Sequence, residues 1–224
     1  MNVTEQKIIR AFPDGKSEEK EILLLKEHTL LIKVNGEAWT SLVCTDTNLM
    51  ELVAGHLLSC GLIEEKDDIE RIDLSEDKSI AEVSCRAKDA HPLKKLSSPP
   101  CEPEWIFNLA NAFSNESSIH KRTAGTHSCI LAKKGEPLFV AEDIGRHTAL
   151  DKALGWMLLN DVPREDVMLY TSGRVPVDMA QKVVRASVGV LVSKSVPTAE
   201  SVAFARVYGL RLYFRAWPDS YDTI

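Results

Sequence analysis

From residue 129 onward the chain alternates short apolar runs with helical segments of about ten residues, and that alternation leaves few folds open. Residues 129–133 and 137–142 read as a hairpin around Lys134-Gly135-Glu136. A helix over 148–159, a strand over 167–170 and a helix over 177–187 follow. The pattern continues with a strand over 190–192, a helix over Ala199–Tyr208 and a strand over 210–214. Strands joined through helices predict an α/β fold, three-layer, with parallel strands between helical layers. Upstream, residues 22–25, 29–34 and 37–43 read as strands, with Asn35-Gly36 as a hairpin turn. Asn48 and Glu51 have capping-box spacing for a helix over Leu49–Cys60, and Gly61 suits its C-cap. Ile69–Leu74 and Ile80–Cys85 form a further strand pair, and residues 104–113 a helix. The polar, proline-containing connection from His91 to Pro100 is the expected boundary. It separates a smaller α+β N-terminal subdomain (1–95) from an α/β domain (96–224).

The composition narrows the function classes. A formal net charge of -6 argues against a general nucleic-acid or membrane-surface binder. No apolar run approaches a membrane span, and Met1-Asn2-Val3-Thr4-Glu5-Gln6 has no signal-peptide core, so a cytoplasmic location is expected. Cys44, Cys60, Cys85, Cys101 and Cys129 are odd in number and scattered, which suits reduced thiols. No C-x-x-C pair occurs, so no metal site is expected.

Where strands end and helices begin, polar clusters recur, and in such sheets those points gather function. Gly125-Thr126-His127 precedes the hairpin and Asp143-Ile144-Gly145-Arg146-His147 follows it. Ser172-Gly173-Arg174, then Ser193 to Thr198, then Arg215-Ala216-Trp217-Pro218 follow the later strands. Glycine admits close approach to backbone, arginine forks onto phosphate or carboxylate, and histidine and aspartate hydrogen-bond heterocycles and ribose. The combination predicts a pocket for an anionic, nucleotide-like ligand. A plain turn at Ser172-Gly173 and an N-cap at Thr198 are the bland alternatives.

These motifs resemble those of the FdhD family, the formate dehydrogenase accessory sulfurtransferases. The family pattern T-G-G-x-H is approached by Thr123-Ala124-Gly125-Thr126-His127, and D-V-G-R-H-N-A-x-D-K by the stretch from Asp143 through Asp151-Lys152. S-G-R, S-A-P-T and the terminal G-F-x-R are approached by Ser172-Gly173-Arg174, Ser195-Val196-Pro197-Thr198 and Tyr213-Phe214-Arg215. Val34-Asn35-Gly36 and the helix from Glu51 to Ile63 resemble the family's N-terminal half. The resemblance implies a cytidine-deaminase-like second domain. It also implies sulfuration of a molybdenum or tungsten bis-pterin guanine dinucleotide cofactor, for which GDP is a mimic. The implied partners are a cysteine desulfurase and the formate dehydrogenase catalytic subunit, with no nucleic acid and no membrane; a homodimer is compatible with apolar surface on related sheets. Carried over by position, the cofactor residues are Thr126, His127, Asp143, Gly145, Arg146, His147, Ser172, Gly173 and Arg174. Pro197, Thr198, Tyr213, Phe214, Arg215, Ala216, Trp217 and Pro218 complete that set.

Three departures stand out. The family's C-G-x-C-G loop, where a thiolate accepts persulfide sulfur, corresponds to Ser97-Ser98-Pro99-Pro100-Cys101-Glu102, with one cysteine and two stiffening prolines. Cys129 replaces a small residue and Cys60 a glutamate. Cys101 is the candidate catalytic thiol: a helix starting near Pro103 would favour its thiolate, and Glu102 and Glu104 would oppose it. The other cysteines read as small core hydrophobes, and His28, His56, His91 and His120 as isolated. Two functional readings follow, a sulfurtransferase working through Cys101 and a non-catalytic cofactor-binding accessory protein. Zinc deamination fails because His127-Ser128-Cys129 has no Pro-Cys-x-x-Cys or spaced glutamate beside it. A Rossmann domain fails because no G-x-G-x-x-G follows a strand.

Overall fold

The computed structural model describes residues 3–87, 92–97, 100–115 and 119–224. Strands β1 (Val3–Ala11) and β2 (Ser17–Leu25) form a two-stranded ribbon. Strands β3 (His28–Val34) and β4 (Glu37–Cys44) turn at Asn35-Gly36, both left-handed with φ of 51° and 89°, which matches the twist of a tight hairpin. Helix α1 (Leu49–Cys60) follows, then β5 (Ile69–Leu74) and β6 (Ile80–Cys85), completing a four-stranded sheet in the order β4-β3-β6-β5. The expected capping box does not form. Asn48 is itself left-handed (φ 52°) and its side chain makes no cap bond, whereas a capping side chain needs extended backbone. Gly61 closes the helix as expected, donating its N–H to Leu57 and Leu58 carbonyls.

The second half contains α2 (Pro103–Asn115), α3 (Ile119–Thr123), β7 (His127–Lys133), β8 (Glu136–Asp143) and α4 (Arg146–Leu159). It continues through β9 (Val167–Thr171), α5 (Val177–Arg185), β10 (Val190–Ser193), α6 (Ala199–Tyr208), β11 (Arg211–Trp217) and β12 (Ser220–Thr223). Six strands form one sheet in the order β12-β11-β10-β9-β7-β8. Only its β9-β10 and β10-β11 pairings are parallel. The β7-β8 hairpin, expected as such, and β12 run antiparallel to their neighbours, so the expected parallel strands form the centre of a mixed sheet. The reason is chain order: the hairpin comes before the first helical crossover and cannot run parallel to itself.

Alternation along the strands assigns the two faces. Ile130, Ala132, Met168, Tyr170, Val190 and Val192 meet α2 residues Ile106, Leu109 and Ala110 in one core. Cys129, Leu131, Leu169, Leu191 and Leu212 face the other way, into a larger core shared with α4, α5 and α6. That core runs on through α1 into Leu30 and Ile32 of the four-stranded sheet, so both halves bury one continuous interior. Of the expected connector, His91, Ser98 and Pro99 lie outside the described residues, while Leu93 and Leu96 pack against this core.

The halves meet where α1 crosses α4. A Cβ on Gly55 would lie 1.8 Å from the Asp151 carbonyl oxygen, and one on Gly155 would lie 1.8 Å from that of Glu51. Backbone therefore touches backbone, and no side chain fits at either position. Gly55→Ala and Gly155→Ala should each destabilise the protein by about 3 kcal/mol or more, the upper range for overpacking, as read by denaturant unfolding. Wild-type midpoints would show that the helices separate without cost.

Candidate functional site

Sheet register brings the polar clusters together. His127 at the start of β7 pairs with Asp143 at the end of β8, and Cys129 pairs with Thr171 at the end of β9. Ser193 ends β10 opposite Thr171, and the Arg215 N–H donates to the Ser195 carbonyl at 3.0 Å. All the expected loops thus leave the sheet at one edge, where β9, β10 and β11 end.

Local bonds then shape that edge. Ser172 Oγ accepts from the Ser128 N–H at 3.0 Å and lies 3.1 Å from His127 Nδ1. Ser193 Oγ donates to the Gly173 carbonyl at 2.8 Å. A Cβ on Gly173 would stand 2.8 Å from Arg146 Cβ, so these loops interlock. Pro197 bridges to Val175, and Thr198 caps α6 by accepting the Ser201 N–H. Helix α4 begins at Arg146 with no side-chain cap, leaving amide donors and a positive helix end at the edge. Arg146 Nε is buried without a hydrogen-bond partner among the described residues. Arg174 is exposed on the Ser172 loop, directly after the Gly173 that packs against the Arg146 side chain. An orphaned guanidinium donor at an open helix start fits an anionic group.

The imidazoles suit a neutral heterocycle. Burial lowers the pKa of His127, and Arg146, His120 and His147 lower it further. Burial also lowers that of His147; Lys182 and Arg146 add to this while Asp178, whose carboxylate is 3.5 Å from Nε2, and Asp151 oppose it. Each ring then offers one donor and one acceptor at neutral pH.

Other expected residues face elsewhere. Asp143 is fully buried beneath the loop, 2.5 Å from Lys152 Nζ, which is fully buried too. The same carboxylate accepts the Thr45 N–H and hydroxyl, tying the loop to the N-terminal half. Thr126 is buried, its hydroxyl directed to Glu142. Tyr213 lies under α2 near Tyr221, whereas Phe214 packs into the opposite core. Arg215 is left-handed (φ 45°) at an irregularity in β11, and its guanidinium pairs with Asp222 on β12. Ala216 is buried with its carbonyl accepting from the Tyr170 hydroxyl, and Pro218 is exposed in the turn that follows. Trp217 remains at the edge, 44% exposed, with Lys194 Nζ 4.8 Å from its ring centre and 5.2 Å from that of Phe113.

Cys101 is at the opposite edge. It borders a cavity of about 120 Å³ with Trp105, Val167, Met168 and Val190, where β9 and β10 begin. Its thiol is half-buried, and burial pushes its pKa up; the Tyr213 hydroxyl and Arg211 pull it down, and Glu102 raises it. Helix α2 separates it from the loops, which Phe113 reaches beside Lys194. Among the described residues, no group of His, Cys, Asp and Glu is arranged to hold a metal ion.

Lys194 lies within the expected Ser193 to Thr198 cluster but was not among the expected site residues; its only distinguishing sign was its position directly after a strand. His56 escaped because its partner is far along the chain. His56 Nδ1 lies 2.7 Å from Asp151 Oδ2, which also meets Lys182 Nζ at 2.5 Å, while Ser59 Oγ donates to Asp151 Oδ1 at 2.8 Å. The one available signal was a histidine and a serine on consecutive turns of the same apolar helix.

A model of the FdhD/NarQ family matches residues 25–101 and 85–222. The chain belongs to that family. It is 31% identical over 235 residues to the sulfur carrier protein FdhD of Halalkalibacterium halodurans, covering 92% of this chain and 84% of the relative. It is 32% identical over 229 residues to the protein of that name from Staphylococcus aureus, covering 89% and 86%. The crystal structure of a putative formate dehydrogenase accessory protein from Desulfotalea psychrophila superimposes with a TM-score of 0.88 over 99% of this chain and 96% of that one, at 24% identity. The last likeness shows the fold. No described helix is long and apolar enough to cross a membrane.

Two stability measurements test the ionic layer beneath this edge. Lys152→Met leaves the buried Asp143 carboxylate without its cation and should cost about 3–5 kcal/mol in denaturant unfolding; a neutral result would show that the pair does not hold the loop. Burial lowers the His56 pKa, but hydrogen bonds to Asp151 and Cys60 outweigh it and raise the value from 6.5 to about 9. The folded state therefore binds this proton more tightly than the unfolded chain. The resulting stability is fully present below pH 6.5 and is lost as pH rises through about 9. Unfolding titrations across that window should show the loss in the wild type and a flatter profile in His56→Gln.

Proposed function

We propose that this chain is a sulfur carrier serving formate dehydrogenase. In this reading the loop edge binds a molybdenum or tungsten bis-pterin guanine dinucleotide, and the protein passes to it sulfur received from a cysteine desulfurase in the cytoplasm. The client cofactor is then delivered to the dehydrogenase catalytic subunit. The names of its relatives support the sulfur-carrier and formate dehydrogenase parts of this reading.

The observation that carries the cofactor part is the convergence of the Asp143–His147, Ser172–Arg174 and Ser193–Thr198 segments on one sheet edge, together with Arg146, whose buried Nε has no partner among the described residues. Arg146, Arg174 and the start of α4 would hold the phosphates, and neutral His127 and His147 would meet the base or ribose. Trp217, held over Lys194, offers a stacking face for a ring. These residues bind and orient the cofactor; the metal and pterin chemistry is the cofactor's own.

The position and raised pKa of Cys101 favour a second reading of its role, in which the loop edge binds cofactor without any sulfur on that thiol. Calorimetric titration with GDP tests the site itself. Arg146→Ala and Arg174→Ala should each weaken binding by about 1.5–3 kcal/mol, and the salt dependence should flatten. Wild-type titrations from both variants would remove the phosphate assignment.

A further inference from the structure

Cys44, Cys85 and Cys129 are buried, whereas Cys60, the last residue of α1, is partly exposed. Its Sγ lies 3.7 Å from His56 Nε2, and the other nitrogen of that ring donates to Asp151 at 2.7 Å. Asp151 is 1% exposed and is held in turn by Ser59 and Lys182. A thiol, an imidazole and an orienting carboxylate in hydrogen-bonded series form the array that activates a nucleophilic sulfur. The helical repeat places His56 and Cys60 on one face of α1, and the tilted Trp39 ring, 5.2 Å away, limits rotation of the imidazole.

We propose that Cys60 is the sulfur-accepting thiol of this chain, with His56 as its proton partner and Asp151 positioning the imidazole, and that its substrate is the outer sulfur of a persulfide. This assignment rests on the sulfur-carrier reading given above. The Cys60 sulfur attacks the outer sulfur of a donor R–S–SH. A new S–S bond forms on Cys60 as the donor's S–S bond breaks, and the electron pair leaves on R–S⁻. That thiolate takes the proton His56 received from Cys60. The sum is Cys60–SH + R–S–SH → Cys60–S–SH + R–SH, with no net oxidation.

The surroundings leave room for a donor beside Cys60. Arg185 Nη1 packs against Gly61, the next residue, and a cavity of about 150 Å³ begins there, bounded also by Lys94 and Arg164 with their partners Glu64 and Glu65. The groups facing His56 are Asp151 from α4, Lys182 from α5, Cys60 on its own helix and the uncharged Trp39 from β4, with His147 one turn from Asp151. The end of α1 favours the imidazolium, which can in turn donate a hydrogen bond to the sulfur.

The test incubates the full-length wild-type protein with a cysteine desulfurase and cysteine, then locates added sulfur by peptide mass mapping. Sulfur is expected on Cys60. His56→Gln should slow iodoacetamide labelling of Cys60 on the order of a hundredfold at neutral pH and change its pH profile. Sulfur on Cys101 with Cys60 unmodified overturns this assignment and leaves the carrier reading intact, as does an unchanged labelling profile in His56→Gln. Sulfur on no cysteine overturns both.

Discussion

The contact of α1 with α4 at Gly55 and Gly155 governs the arrangement of everything charged in the interior. Because the two backbones touch, His56 and Ser59 on one helix reach Asp151 on the other. The same approach carries Thr45, which precedes α1, to the Asp143 carboxylate at the end of β8. Lys152 Nζ, one residue beyond Asp151, meets both Asp143 and the Thr45 hydroxyl, the latter at 2.7 Å. Two adjacent residues of α4 thus anchor opposite sides of one ionic layer: Asp151 faces α1 and α5, and Lys152 faces the loop edge. A wider crossing would take His56 and Ser59 from Asp151, and Thr45 from Asp143 and Lys152, leaving each buried carboxylate with its lysine alone.

Much of the fold was legible from hydrophobic period and turn chemistry. The bounds of α1 and α6, the two strand pairs of the N-terminal sheet and the Asn35-Gly36 turn follow from local pattern alone. The two-stranded ribbon was only half legible. β1 and most of β2 are rich in charge, and their solvated faces carry no clear alternation. The antiparallel place of β7 was not legible either, because an apolar strand buried on both faces reads alike in either direction. Asn48 had the residue types of a cap, yet the chain's path from β4 into α1 imposes a left-handed backbone there.

The site was legible as a set of loops and less so as a set of contacts. Glycine-rich polar clusters at strand ends mark the edge because the topology must bring them together. Which side chains reach the edge depends on register and on partners distant in sequence. Asp143 carries a motif's identity, but Lys152 and Thr45 draw it inside. Arg215 ends a strand in the expected place, yet a local irregularity turns its guanidinium to Asp222. Cys60 and His56 gave the weakest local signal of all: only the folded chain supplies the carboxylate that makes their spacing meaningful.

The buried pair of Asp143 and Lys152 also bears on how the edge meets a ligand. It fastens the segment carrying Gly145, Arg146 and His147 at both ends, on β8 before it and on α4 after it. Such a segment surrenders its conformational freedom when the chain folds, not when a ligand arrives. Association then loses little backbone entropy at this loop, so more of each phosphate contact survives as affinity.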